Sequence, residues 1–235
     1  MAAIVKRQRT ILQFDNTVFT DTTGAFAQAE EVNLSACAGD LILIRLARLE
    51  QTIGFADACA GIIQPRRGAV RFLGRNWPEL PADQANALRG RIGRVFKTGN
   101  WVNHLSVMDN VLLSQRHHTR RSVRRLRDEA GELSQQFGLP GLPIGMPGDL
   151  TAADLQRAAC VRAFLGRPLL ILLEEPTSGI FLEVISALMG AIRDARNRGA
   201  AAIWLKQKGL IWHDQTLPVT QRYRLVADKL MEVTR

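Results

Sequence analysis

Glu174 and Glu175 stand side by side at the end of an apolar run, in LLILLEEPTSG at residues 169–179. Apolar residues closed by an acidic pair and then Pro, Thr, Ser and Gly read as a buried parallel strand running into a turn. The carboxyl end of such a strand is where α/β folds keep their chemistry. The pair is therefore the first candidate for a catalytic site, with acid–base work as the chemistry open to it. The plainer role is structural: a carboxylate can cap the strand end through a hydrogen bond.

The elements that must position this pair follow from the rest of the 235 residues. The chain is 46% hydrophobic and 23% charged, which suits one α/β domain with a full core. No apolar run reaches about 18 residues, so no membrane-spanning helix is expected. Residues 1–10 are partly basic and lead into no apolar segment of signal-peptide length. Cys37, Cys59 and Cys160 lie far apart, fit no metal or disulfide pattern, and are expected as small buried residues. The net charge of +9 favours anionic partners, and it is densest in RHHTRRSVRRLR at 116–127. As a helix, that stretch carries Arg121, Arg124, Arg125 and Arg127 on mostly solvated faces.

Alternation and turn residues predict strands over 10–19, 31–36, 41–46, 69–73, 92–96, 169–173 and 201–205, with two short strands within 222–233. Helical spacing predicts helices over 52–62, 82–90, 107–114, 122–136, 151–164 and 182–198. The Gly/Pro-rich segment 138–149 is expected as a loop.

This order resembles the nucleotide-binding domain of the ABC-transporter ATPases over nearly the whole chain. Leu169–Gly179 is similar to that family's second nucleotide motif, an apolar strand followed by Asp-Glu-Pro-Thr and Ser-Gly-Leu-Asp. Gly39-Asp40-Leu41 resembles the entry to its phosphate loop, and Ala60-Gly61 the end of the helix that follows. Ile92-Gly93-Arg94-Val95-Phe96 resembles the strand before its glutamine loop. Leu105–Val111 resembles its Leu-Thr-Val-x-Glu-Asn-Val, while Gln156-Arg157 and Val161-Arg162-Ala163 resemble the helix after its signature. The resemblance implies an α/β fold: a P-loop NTPase-like mixed sheet core, an antiparallel β subdomain and a helical subdomain. A single domain is expected over 1–235, with the core in 1–96 and 166–235 and the helical subdomain in 97–165.

The resemblance also says where the family's chemistry should sit, and this chain departs from it. A phosphate-binding loop needs glycines whose amides face phosphate, a lysine for the outer phosphates and a Ser or Thr for Mg²⁺. Here the loop reads LARLEQTIG. Leu46, Leu49 and Gln51 stand at glycine positions, Thr52 at the lysine and Ile53 at the Mg²⁺ ligand. Glu50 would repel phosphate, and Gly54 weakens the start of the helix; a filled, collapsed loop is expected. Asp21 stands where an adenine-stacking aromatic belongs, Lys97 at the glutamine, Phe181 at the last aspartate and Gln207 at the switch histidine. The Leu-Ser-Gly-Gly-Gln signature is Leu150, Thr151, Ala152, Ala153 and Asp154; Thr151 and Asp154 have the spacing to cap their own helix. Glu175 keeps the general-base position, and Glu174 replaces the Mg²⁺-linked aspartate.

Loss of one transition-state donor costs about 10²–10³ in rate. With so many positions replaced, negligible hydrolysis is expected, with no cofactor of its own and ATP and Mg²⁺ only at a partner subunit. The family's head-to-tail pairing implies a homodimer or a heterodimer with another ATPase subunit. It also implies docking of a membrane permease beside Lys97, Asn100, Trp101, Val102 and His104. NVLLSQRHHT at 110–119, with the charged helix and FGLP after it, is similar to ATPase subunits of bacterial lipid transporters built around mammalian-cell-entry proteins. That implies lipid or phospholipid transport with lipid-binding subunits, at the cytoplasmic face of a bacterial inner membrane. Two alternatives stay open: an ATP-hydrolysing subunit with an atypical site, and a basic protein that binds nucleic acid or an anionic membrane on a reused fold. Nucleic acid is the less expected partner.

Overall fold

A computed structural model describes residues 8–19, 31–47, 49–176, 182–207, 212, 214, 216–226 and 229–233. Asp21, Phe181, Thr177, Ser178 and Gly179, named above, lie outside the described residues, as do the side chains of Leu49 and Glu50.

Ten strands and six helices follow one another along the described chain. They are β1 (Thr10–Val18), β2 (Val32–Cys37), β3 (Leu41–Arg45), α1 (Leu49–Cys59), β4 (Arg67–Phe72), β5 (Arg75–Asn76), α2 (Ala82–Arg89) and β6 (Ile92–Val95). After these come α3 (Val107–His118), α4 (Val123–Gln136), α5 (Ala152–Phe164), β7 (Leu170–Glu174), α6 (Leu182–Asn197), β8 (Ala201–Lys206), β9 (Gln221–Val226) and β10 (Lys229–Glu232). A six-stranded sheet has the order β10-β9-β3-β8-β7-β6, parallel except for its β10–β9 edge. A second, antiparallel sheet has the order β2-β1-β4-β5. The mixed sheet with a separate antiparallel β layer is the expected fold class.

The sheet is covered on both faces, which is why its strands read as continuous apolar runs rather than alternating ones. Ile42, Ile44, Leu170, Leu172, Ile203 and Leu205 face α1 and the second sheet, where Phe14 stacks on Phe55 at 5.1 Å. Leu41, Leu43, Ile171, Leu173, Ala202 and Trp204 face the other way, into a core built with α3, α4, α5 and α6. Helices α3, α4 and α5 therefore share one hydrophobic core with the sheet. Gly93 sets the distance between β6 and α5, since a Cβ there would lie 1.8 Å from the Ala163 carbonyl oxygen.

The basic stretch is shared between two helices, in line with the separate helices expected over 107–114 and 122–136: α3 ends at His118 and α4 begins at Val123, with Ser122 as its N-cap. The expectation for Arg121 is corrected. Arg121 is half-buried and ion-paired with Glu129 rather than solvated, whereas Arg124, Arg125 and Arg127 are exposed. Cys59 and Cys160 are buried, and burial pushes both thiols up, Cys160 to about 12.

Candidate functional site: the acidic strand end

The parallel strands β3, β6, β7 and β8 bring residues 45–47, 96–97, 174–175 and 206–207 to one end of the sheet. Glu174 ends β7 on the α1 side, in line with Leu170 and Leu172, and is 2% exposed. A carboxylate so buried needs a countercharge. Arg94 of β6 supplies it: Nε donates to Glu174 Oε1, and Nη1 donates to Asp57 Oδ1 of α1 at 2.5 Å. The guanidinium also lies over the Phe96 ring, 4.4 Å from its centroid. Burial pushes the Glu174 carboxyl above the ordinary range, opposed by Arg94 and helped by Asp57.

Glu175 turns back with a left-handed φ of 47°, its N–H bonded to the Leu205 carbonyl at 3.0 Å. Its Oε1 accepts from the Gln207 backbone N–H, and its Oε2 lies 4.0 Å from Lys206 Nζ. Both residues of this second ion pair are buried, at 6% and 7% exposure. The acidic pair is thus divided between two cations of the same chain, Arg94 and Lys206. The Arg94 guanidinium takes up one oxygen of Glu174, Oε1.

The segment after β3 is closed on itself. Leu46 is buried and its N–H donates to the Lys206 carbonyl at 2.8 Å. The Ala47 N–H donates to Gln51 Oε1 at 3.0 Å. Gln51 and Thr52 are buried, whereas Ile53 is 41% exposed. Helix α1 starts at Leu49, three residues before the expected position, so the helix takes over part of the segment read as a loop. Gln51 explains the early start: its carboxamide reaches back four residues to an amide that would otherwise lack a partner.

Ala152, Ala153 and Asp154 form the first turn of α5, which Leu150 precedes. Thr151 is the N-cap; its Oγ1 accepts from the Asp154 N–H at 3.1 Å and donates to Asp154 Oδ2 at 2.9 Å. Arg157 also donates to Asp154.

Of the five residues read as a docking surface, the structure brings two together. Asn100 and Val102 line a cavity of about 440 Å³ with Phe96, Leu113, His117 and Arg162. Trp101 instead stacks on Arg162, whose Cζ lies 4.6 Å from the indole centroid. Arg162 also donates to the Gly99 and Asn100 carbonyls. Lys97 is half-buried and His104 exposed, and neither lines the cavity. Buried Asn110 shapes this loop by accepting from the Val102 N–H and donating to the Val102, Leu105 and Ser106 carbonyls.

The residue that organises the site, Arg94, was not singled out from the sequence. Its signal is there: Ile92 and Arg94 share a strand face, so an arginine is aimed at the α1 core beside the buried acid of the next strand.

The family model for ABC transporters matches residues 55–178. The octopine permease ATP-binding protein P of Rhizobium radiobacter is 30% identical over 179 residues, covering 72% of this chain and 68% of that protein. The probable ribonucleotide transport ATP-binding protein mkl of Mycobacterium leprae is 28% identical over 162 residues, covering 68% of this chain and 46% of that one. The chain thus spans about half to two thirds of the length of the curated relatives it matches. Among solved structures, the dimeric post-hydrolysis ATP-binding cassette MJ0796, bound to ADP and Pi, superposes with a TM-score of 0.80. It is 20% identical, with 95% of this chain and 98% of that chain covered, and so it speaks for the fold. By family match and by architecture, the chain belongs to the ABC transporters.

Proposed function

We propose that this chain is a non-hydrolysing ABC subunit that assembles with a membrane permease, as a homodimer or beside an intact ATPase. The observation that carries the reading is the Arg94 guanidinium on Glu174, anchored from behind by Asp57. Magnesium would have to displace a cation that already makes charge-assisted hydrogen bonds to both acids. The residues after β3 do not suit a nucleotide phosphate either. The Leu46 and Ala47 amides are bonded within the chain, no lysine stands in the segment, and Gln51 and Thr52 fill its interior. Glu175, bonded to the Gln207 amide and beside Lys206, serves as a strand-end cap rather than as a base.

The cavity beside Asn100 and Val102 suits an inserted segment of a permease, because Leu113, 44% exposed, lines it without covering. Trp101 supports this loop from within through Arg162. A lipid or phospholipid cargo, lipid-binding subunits and a place at the cytoplasmic face of a bacterial inner membrane belong to the same proposal, through the similarity at 110–119.

The test is phosphate release from Mg–ATP by the full chain beside its Glu175→Gln variant. Equal background rates are expected; a wild-type rate at least about 10²-fold above the variant would overturn the reading. Docking is tested by co-purification with a permease from native membranes. Leu113→Glu should abolish it, and retention would remove the cavity from the proposal.

A further inference from the structure

The opposite end of the same sheet holds a second constellation. A cavity of about 600 Å³ lies between the starts of β6 and β7, the end of α3 and the face of α2. Its wall carries Arg75, Arg91, Arg121, Arg167 and His118, and no carboxylate among the described residues. Arg121 is paired with Glu129. No described carboxylate forms an ion pair with Arg75, Arg91 or Arg167, all three of which are exposed. His118 Nδ1 is buried without a hydrogen-bond partner.

The cavity has a built floor. Gln115, 6% exposed, donates to the Gly90 carbonyl at 3.1 Å, and the Gly166 N–H donates to Glu129 Oε1 at 3.0 Å. A Cβ at Gly166 would lie 2.2 Å from Gln115 Oε1, so the 166–167 turn is seated directly on α3. The seating holds Arg167 in the left-handed region, at φ 57°, a conformation disfavoured for any residue with a Cβ. Arginines grouped around one cavity repel one another. The adjoining hollow, which shares Arg121, Gly166 and Arg167, is lined by Asp128, Glu129 and Glu132, of which Glu129 is taken up by Arg121 and the Gly166 amide. Guanidinium forks match phosphate oxygens in pairs, and the volume of about 600 Å³ is in the range of small-molecule sites.

We propose that this cavity binds the phosphoryl group of an anionic ligand, held by Arg75, Arg91 and Arg167 with His118 at its wall. The shared chemistry is a phosphomonoester or diphosphate, whether free in solution or on a phospholipid headgroup. The site lies at the amino ends of the strands, away from the acidic pair. It stands whether or not the carboxylate end handles nucleotide.

The test uses the full chain with two probes: sodium pyrophosphate, and phosphatidic acid vesicles set against phosphatidylcholine vesicles. At constant ionic strength, calorimetry and thermal melting should show saturable binding of at least one probe and a raised Tm. Binding of pyrophosphate alone assigns a free ligand; binding of phosphatidic acid vesicles, with or without pyrophosphate, assigns a headgroup. Arg91→Gln/Arg167→Gln should weaken binding at least tenfold. Arg124→Gln/Arg127→Gln, which removes equal charge from exposed positions of α4, should leave it within twofold. Arg167→Gly, which also relieves the left-handed turn, should raise the ligand-free Tm while weakening binding. Should the Arg91/Arg167 pair fail to fold, Arg75→Gln/Arg91→Gln gives the same readout. Absence of binding by either probe, or equal loss in the two double variants, would overturn the proposal.

Discussion

The two ends of the central sheet use arginine in opposite ways. At the carboxyl end, Arg94 is half-buried and engaged within the chain: it bonds Glu174 and Asp57 and lies over the Phe96 ring. At the amino end, Arg75, Arg91 and Arg167 are exposed around a cavity without a described acid on its wall. The first arrangement consumes charge inside the fold, and the second leaves it for something outside. In a chain of net charge +9, the arginine cavity and the stretch where positive charge is densest in the sequence are largely different places. The run at 116–127 contributes only Arg121 and His118 to the cavity, together with Thr119.

The largest effect should come from disrupting the carboxyl end. Arg94→Met strands a carboxylate that is 2% exposed, and urea denaturation should show a loss of about 3–5 kcal/mol. Adding Glu174→Leu should recover much of that loss, since an apolar replacement of a whole buried pair is often neutral. A loss below 1 kcal/mol for Arg94→Met would mean the ion pair is not what holds this end together.

Gly93→Ala comes next. It drives a methyl group toward the Ala163 carbonyl, a backbone atom that can yield only if β6 and α5 separate. A cost of about 1–3 kcal/mol is expected in the same denaturation experiment. Thr151→Ala removes the N-cap of α5 and should cost about 1 kcal/mol. At the open end, the sign reverses. Arg167→Gly relieves a left-handed residue at about 1–2 kcal/mol but adds a glycine's chain entropy of about 0.5–1 kcal/mol, leaving a small net gain.

The smallest effect is a pH dependence at the same end. Burial, His117 and Arg89 lower the His118 pKa from its ordinary value. Between the folded and unfolded values, the unfolded chain binds more protons, so stability rises with pH. The contribution is present above about pH 6.5 and is lost as pH falls through the lower folded value. His118→Gln should therefore flatten part of the decline in stability between neutral and mildly acid pH. An unchanged slope would remove His118 from that account.

The architecture was legible because parallel strands covered on both faces read as uninterrupted apolar runs. LILIR and LILLE, which become β3 and β7, announced themselves in this way. The helix caps Ser106, Ser122 and Thr151 stand where small hydroxyl residues precede helical spacing. The start of α1 was misplaced because it depends on a side-chain bond, Gln51 to the Ala47 amide, which propensity does not report. The site's central residue escaped for a related reason. Arg94 and Glu174 are 80 positions apart, and their meeting depends on the register of β6 against β7. The arginine cavity draws on α2, α3, the turn before β7 and the β5 strand, a grouping that no local sequence window contains.

An acidic strand end neutralised within the chain should not take up Mg–nucleotide. Calorimetric titration of Mg–ATP into the full chain, alongside Glu174→Gln, tests it most directly. No saturable heat that depends on Glu174 is expected, with the two titrations superimposing. Saturable binding by the wild type that weakens tenfold or more in Glu174→Gln would contradict it, because Glu174 would then be holding a cation other than Arg94.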